Sequence, residues 1–337
     1  TVLGCFRRQK KCQLRKIAYS TVVILFSIYF IFFLIIFISF WYLAEDFQIS
    51  KYIIIKNFFF LGMALIIASL GAEFLILGWE IIGFGSIFLI SFWSARISVL
   101  KSALKSLLIN KIGDFCLLFL WKSHFSALGV GFLGVWGWGF VLFWFGVVGG
   151  VFSKSAISIF WVWLPDAMEG PATTSALIHA ATLVLSGHFL LSIFCANFIR
   201  GSEVLLILVI LSTDISNIAA AVKSLETSDV KALIASSTLG QMSLAIRILV
   251  FDFSSSLNWV LNHAGYKALL FLSLGWAIHL AENFQDLRIR KSFFLAIFVV
   301  SLIFAEINNI VGNAGSVSLS VKDYVLTSAG HFVKLDA

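Results

Sequence analysis

Residues 19–44 read YSTVVILFSIYFIFFLIIFISFWYLA, with a single hydroxyl-rich start and no charged side chain anywhere in the run. A bilayer's hydrocarbon core takes about 20 such residues, and a soluble core has no use for an apolar run of this length. Further apolar runs follow at about 53–70, 74–93, 107–121, 130–164, 172–199, 203–222, 230–250, 256–281 and 292–320. In hydrocarbon the backbone must satisfy its own hydrogen bonds, which leaves helices or closed barrels. Barrel strands alternate in polarity over about ten residues, whereas these runs are longer and uniformly apolar. The expected fold class is therefore all-α: a polytopic transmembrane helical bundle of about ten spans. Short loops join the spans into one domain at 17–325, preceded by a basic N-terminal tail at 1–16 and followed by a C-terminal tail at 326–337.

Only 12% of residues are charged and the mean hydropathy is +1.01, against about a quarter charged in soluble domains. The net charge of +7 does not point to nucleic acid. Much of it lies in FRRQKKCQLRK at the N-terminus, and most of the rest falls between apolar runs. Loop Lys and Arg set membrane orientation. One side would collect Lys51, Lys56, Arg96, Lys101, Lys105, Lys223, Arg288, Arg290 and Lys291; the other would hold Lys122, Arg200 and Arg247. The first side is expected to face the more negative compartment. Cys5, Cys12, Cys116 and Cys195 form neither a metal-binding spacing nor a disulfide framework, so no metal site is expected. Gly129, Gly131 and Gly134 spell G-x-G-x-x-G, but no strand precedes them and no acid follows until Asp166. Close helix packing accounts for them better than a dinucleotide does. With no phosphate-binding loop and no cysteine cluster, the chain offers no visible means of handling electrons.

The informative residues are the ionisable ones inside the apolar runs, because each costs roughly 2.5–3.5 kcal/mol at the bilayer centre. They are Glu80, Asp114, Lys154, His179, Lys231, His263, Lys267 and Lys322. Glu80 has no basic neighbour in sequence, so a partner has to come from another helix. Lys154 follows FGVVGGVFS, whose glycines and serine predict a broken helix, and such breaks persist only where protein or water satisfies the freed backbone. His263 and Lys267 are four residues apart and share one helical face. Two groups that can titrate near neutrality within reach of each other form a step of a proton wire. Lys322 and Asp323 follow the small-residue stretch NAGSVSLSV, a second predicted interruption. His188 is read as structural.

Both prolines of the chain, Pro165 and Pro171, lie in one stretch with Lys154, Asp166, Glu169 and His179. Pro165 is expected to end the helix carrying Lys154, since proline disfavours the α region in the residue before it. Pro171 is expected to open the next helix. Asp166 and Glu169 would then lie in a surface turn, with Lys154 and His179 facing each other at depth.

Taken in order, GWEIIGFGS (78–86), NKIGDF (110–115), KSA…WLPDAMEGPATTSALIHAATLV (154–184), SDVKALIASSTLGQM (228–242), HAGYKALLFLSLG (263–275) and QDLR (285–288) resemble one family. It is the subunit 5 family of NADH:ubiquinone oxidoreductase (complex I), an antiporter-like membrane subunit encoded in mitochondria. The resemblance runs from about residue 57 to about 325. It implies an antiporter-like proton-channel fold with discontinuous helices near Lys154 and Lys322. It also implies proton translocation across the inner mitochondrial membrane, coupled to electron transfer from NADH to ubiquinone in other subunits. By that resemblance Glu80 pairs with Lys154, Lys267 is the central proton carrier beside His263, and Lys322 ends the half-channel. His179 and Lys231 connect them, and Lys111, Asp114 and Asp323 support them. NADH, FMN, iron–sulfur clusters and ubiquinone would be held by other subunits; in this chain a lipid such as cardiolipin is the one bound molecule it allows. The implied partners are the other membrane-arm subunits, notably antiporter-like subunit 4, together with accessory subunits and the bilayer.

The chain also departs from the family. Only about two spans precede GWE, and the chain ends at Ala337, so both ends are shorter than usual. Trp259 replaces a histidine one turn before His263, and Lys111 stands where arginine is usual, keeping the charge but not the bidentate geometry. Two other functions share these motifs: a subunit of a multi-subunit cation/proton antiporter, and a complex I scaffold that no longer conducts.

Overall fold

The computed structural model describes residues 2–69, 72–129, 146, 148–198, 203–280 and 285. Among these the chain is helical, with no strand: α1 (Val2–Tyr42), α2 (Ile49–Ala68), α3 (Ala72–Ile90), α4 (Ile97–Gly129), α5 (148–154), α6 (Trp163–Asp166), α7 (Ala172–Ala176), α8 (Leu183–Phe198), α9 (Glu203–Glu226), α10 (Val230–Phe251) and α11 (Phe253–Leu280). Seven segments of the described chain are long and apolar enough to cross a membrane. The fold is an all-α polytopic bundle, as the apolar runs require. The backbone at 2–16, expected as a tail, is helical and continuous with the first span. Lys322, Asp323, the break expected beside them and the tail at 326–337 lie outside the described residues.

The bundle has a clear inside and outside. Ala172–Ile193 is 88% buried, whereas Leu206–Glu226 is 22% buried. The broken segment is therefore central and α9 peripheral. The outer surface carries Phe26, Phe33, Phe37, Leu108, Ile215 and Ile218, all more than half exposed. That surface suits lipid tails, which are as apolar as the side chains they meet.

Helices α2 and α3 approach through glycine. A Cβ on Gly78 would lie 2.6 Å from the carbonyl oxygen of Gly62 and 3.0 Å from the backbone nitrogen of Ile66. Backbone atoms cannot swing aside as a side chain can, so any larger residue forces the helices apart. Gly78→Ala is expected to destabilise the bundle by about 1–3 kcal/mol, read as a lower thermal unfolding midpoint in detergent. An unchanged midpoint would mean that the two helices are not in backbone contact.

A single residue turns the chain between α10 and α11. Asp252 is extended (φ −147°, ψ 122°) and its carboxylate accepts from the backbone N–H groups of Ser254 (3.2 Å) and Ser255 (3.1 Å). This is the N-cap geometry, which satisfies donors that a helix start leaves open. Burial pushes the Asp252 carboxyl up, but the hydroxyl and N–H donors of Ser255 and Ser254 outweigh it and hold the group below the usual aspartate value.

The proline-bearing stretch breaks differently from the expectation. Helix α5 ends at Lys154 itself, not at Pro165. Ala156 (φ 57°) and Ser158 (φ 58°) adopt the left-handed region, which costs non-glycine residues about 1–3 kcal/mol each. Pro165 sits inside the short α6, in a first turn whose N–H groups have no helical acceptor, so its missing donor costs nothing there. Pro171 precedes α7 as its cap residue. Beyond α7, Leu177–Ala181 form a π-helical turn, closed by Thr182 Oγ1 donating to the Leu177 carbonyl at 2.8 Å. Single π turns often accompany functional sites.

Candidate proton-relay site

Lys154 is held by the end of its own helix and by the face of α3. Its Nζ donates to the Trp79 carbonyl at 3.1 Å, lies 5.0 Å from the Trp79 ring and is 3.9 Å from Asp114 Oδ1. A Cβ on Gly83 would come within 3.0 Å of that ammonium, so the glycine makes room for it. Trp79 and Gly83 are four residues apart and share a helical face; Glu80 points about 100° away from it. The direct contact to Lys154 is thus made by Asp114, while Glu80, the expected partner, acts on it electrostatically from farther off. Glu80 instead accepts from Lys111 at 2.5 Å, and Lys111 also reaches Asp114 Oδ2 at 3.3 Å. Asp114 completes the cluster by accepting from the Trp79 indole at 2.8 Å. Two acids and two lysines thus alternate from the half-exposed Glu80 inward to the fully buried Lys154. Lys111 bridges both acids with single contacts.

Where the α5 helix stops, its free carbonyls find partners. The Trp163 indole donates to the Ser153 carbonyl at 2.9 Å, and the Ile157 N–H donates to Phe152 at 2.9 Å. The same Trp163 ring stacks on His179, with centroids 6.3 Å apart. Trp163 therefore links the backbone beside Lys154 to the His179 ring, so the expected face-to-face approach of Lys154 and His179 runs past an indole. Phe271 of α11 lies 5.9 Å from His179 on another side.

Lys231, in the first turn of α10, is buried and donates to the Gly170 carbonyl at 3.3 Å. Lys267 is fully buried on α11 and donates to Ser237 Oγ at 2.5 Å. Ser237 is seven residues along α10 from Val230, about 10 Å of helix. Lys267 lies close enough to act electrostatically on both His179 and His263. His263 is buried one turn away, on the predicted face. No ring nitrogen of His179 or His263 has a hydrogen-bond partner among the described residues. His188, read as structural, donates through Nε2 to Ser256 Oγ at 2.6 Å, because the Ser256 hydroxyl is already committed to the Ala245 carbonyl.

At one end of this series sit the expected surface acids. Asp166 pairs with Lys105 at 2.5 Å, and Ser98 Oγ donates to Glu169 at 3.4 Å. Among the described residues, seven cations assigned to loops lie within helices: Lys51 and Lys56 on α2, Lys101, Lys105 and Lys122 on α4, Lys223 on α9 and Arg247 on α10. Arg247 lies within α10 and binds Asp214 of α9 at 2.8 Å; Lys56 is fully buried on α2. Lys56 falls inside the apolar run at 53–70, and that position was the available signal. No cluster of metal-ligating side chains occurs among the described residues.

A broken-helix bundle with a buried series of acids, lysines and histidines defines an antiporter-like membrane protein. The chain belongs to the NADH:quinone oxidoreductase/Mrp antiporter transmembrane family, whose model matches residues 69–329. It is similar to NADH-ubiquinone oxidoreductase chain 5 of Arabidopsis thaliana, 33% identical over 290 residues, covering 80% of this chain and 43% of that protein. Among solved structures, the Mrp complex from Dietzia sp. DQ12-45-1b matches with a TM-score of 0.62 and 26% identity, covering 67% of this chain and 26% of that one. The membrane-bound sulfane sulfur reductase, an archaeal respiratory membrane complex, shares the fold with a TM-score of 0.68 and 19% identity over 90% of this chain and 71% of that one. The chain spans less than half the length of the curated relatives it matches.

Proposed function

We propose that this chain is a membrane-arm subunit of the proton-translocating NADH:ubiquinone oxidoreductase, complex I, in the inner mitochondrial membrane. Its task is to carry protons across that membrane, while NADH oxidation and ubiquinone reduction take place in other subunits. One observation carries the reading: Lys154, Lys231, Lys267, His179 and His263 are all buried within one bundle. Such groups are costly in a bilayer and are kept where protons are passed. The acids at Lys154 supply the control. A carboxylate near an ammonium holds the proton, and its withdrawal through the Glu80–Lys111–Asp114 series releases the proton towards His179 and the Lys231/Lys267 axis. Moving one charge against the membrane potential takes about 2.3 kcal/mol per 100 mV, which a shift of two to three pKa units at a buried group supplies.

The second reading, a subunit of a multi-subunit cation/proton antiporter, draws on the likeness to the Mrp complex. Co-purification from native membranes separates the two. The complex I reading expects partners carrying flavin and iron–sulfur clusters, among them antiporter-like subunit 4. Partners without redox groups would favour the antiporter. A non-conducting scaffold would keep the redox partners and show no change in pumping when Lys267 is replaced.

A further inference from the structure

Lys56 is the buried charge that this relay leaves unused. It lies on α2 and is completely enclosed, and its Nζ has no hydrogen-bond partner among the described residues. One neighbour is clear: the ammonium stands over the Tyr52 ring, 4.3 Å from its centroid, one helical turn earlier. The face of a tyrosine offsets only part of the cost of such a charge. The rest of the buried stripe of α2 (Phe59, Met63, Ile66) is apolar, so Tyr52 and Lys56 are where that stripe turns polar.

Tyr52 leads directly to the centre of the bundle. Its hydroxyl lies 2.7 Å from Thr173 Oγ1 and 2.6 Å from Thr174 Oγ1, all three fully buried or nearly so. Both threonines belong to α7, which runs straight into the π turn bearing His179. Three residues before Thr173 is Gly170, whose carbonyl holds Lys231. A buried ammonium, a phenol and two hydroxyls thus form a side branch whose threonines stand, along the chain, between Gly170 and the π turn of His179.

We propose that Lys56 is a proton-carrying residue on α2, exchanging its proton with the central axis through Tyr52 and the Thr173/Thr174 hydroxyls. This rests on the proton-translocating reading. In the step, one N–H bond of the ammonium breaks and its proton passes through one water to the Tyr52 oxygen. The O–H proton of Tyr52 moves on to a threonine oxygen, whose own proton continues to water on the axis. Lys56 is left as a neutral amine, ready to be reloaded; only N–H and O–H bonds are exchanged.

The test compares Lys56→Met, Lys56→Arg and Lys267→Ala in the intact multi-subunit assembly reconstituted into vesicles, reading protons moved per electron pair beside quinone reduction. Methionine keeps the length of the stem, and arginine keeps the charge but does not release a proton. Both Lys56 variants are expected to lower pumping, though by less than Lys267→Ala does. Retained pumping in Lys56→Arg would make Lys56 a fixed charge, and retained pumping in Lys56→Met would make it a spacer; either overturns the proposal. If Lys267→Ala also pumps normally, the proton-translocating reading itself falls. If the Lys56 variants fail to assemble, Tyr52→Phe decides, since it removes one hydroxyl and keeps the ring. Lowered pumping in that variant supports the branch, and unchanged pumping overturns it.

Discussion

Lys267→Ala is expected to abolish the proton pumping contributed by this subunit while quinone reduction in the assembled complex continues at a reduced rate. Lys267 is completely buried near the middle of α11, its ammonium donates to Ser237, and it acts on both His179 and His263. Those contacts link α11 to α10 and to the π turn that bears His179. Removing a positioned proton-transfer group typically slows the transfer about 10²–10⁴-fold, so passage through this chain would effectively stop. The proton-to-electron ratio in reconstituted vesicles measures the effect. An unaltered ratio would remove Lys267 from the relay.

Asp114→Asn is expected to have the next largest effect, on pumping and on stability together. Asp114 is the nearest carboxylate to the buried Lys154, and it also receives Trp79 and Lys111. The amide keeps the volume and an acceptor for the Trp79 indole but removes the charge. Stripping one partner from a buried pair typically costs about 3–5 kcal/mol, because the remaining charge is left uncompensated. Lys154 would then shed its proton or destabilise the helix end that holds it. Thermal unfolding of the purified assembly and its proton-to-electron ratio should both fall, and Asp114→Glu should recover part of each. Normal pumping in Asp114→Asn would mean that another group controls Lys154.

The helices themselves were legible because bilayer thickness imposes a minimum length that Tyr19–Ala44 and the later runs visibly meet. The break at Lys154 was legible for a similar reason: Gly149, Gly150, Ser153 and Ser155 crowd two turns with poor helix formers. Its position was not. Proline marked Pro165 as the stop, yet that residue occupies a first turn where a missing N–H is harmless, and the chain leaves the helix eleven residues earlier at Lys154. The pairings were less legible still. Which carboxylate meets Lys154 depends on the rotation of α3 against α4 and α5, and a single chain records no such register. The resemblance pairs Glu80 with Lys154; the close contact is made by Asp114, with Glu80 acting from farther off. Lys56 and Arg247 were misplaced for another reason. Counting loop cations treats a charge near a span's end as outside it, and here tertiary packing drew one inward over Tyr52 and paired the other with Asp214.

A density map of the assembled complex, sharp enough to place waters, tests most directly whether these buried polar side chains line a hydrated route for protons. Ordered water joining Lys154 and His179 to Lys231 and Lys267 is the predicted result. A dry interior, or lysines and histidines turned separately towards lipid with no shared axis, would contradict it.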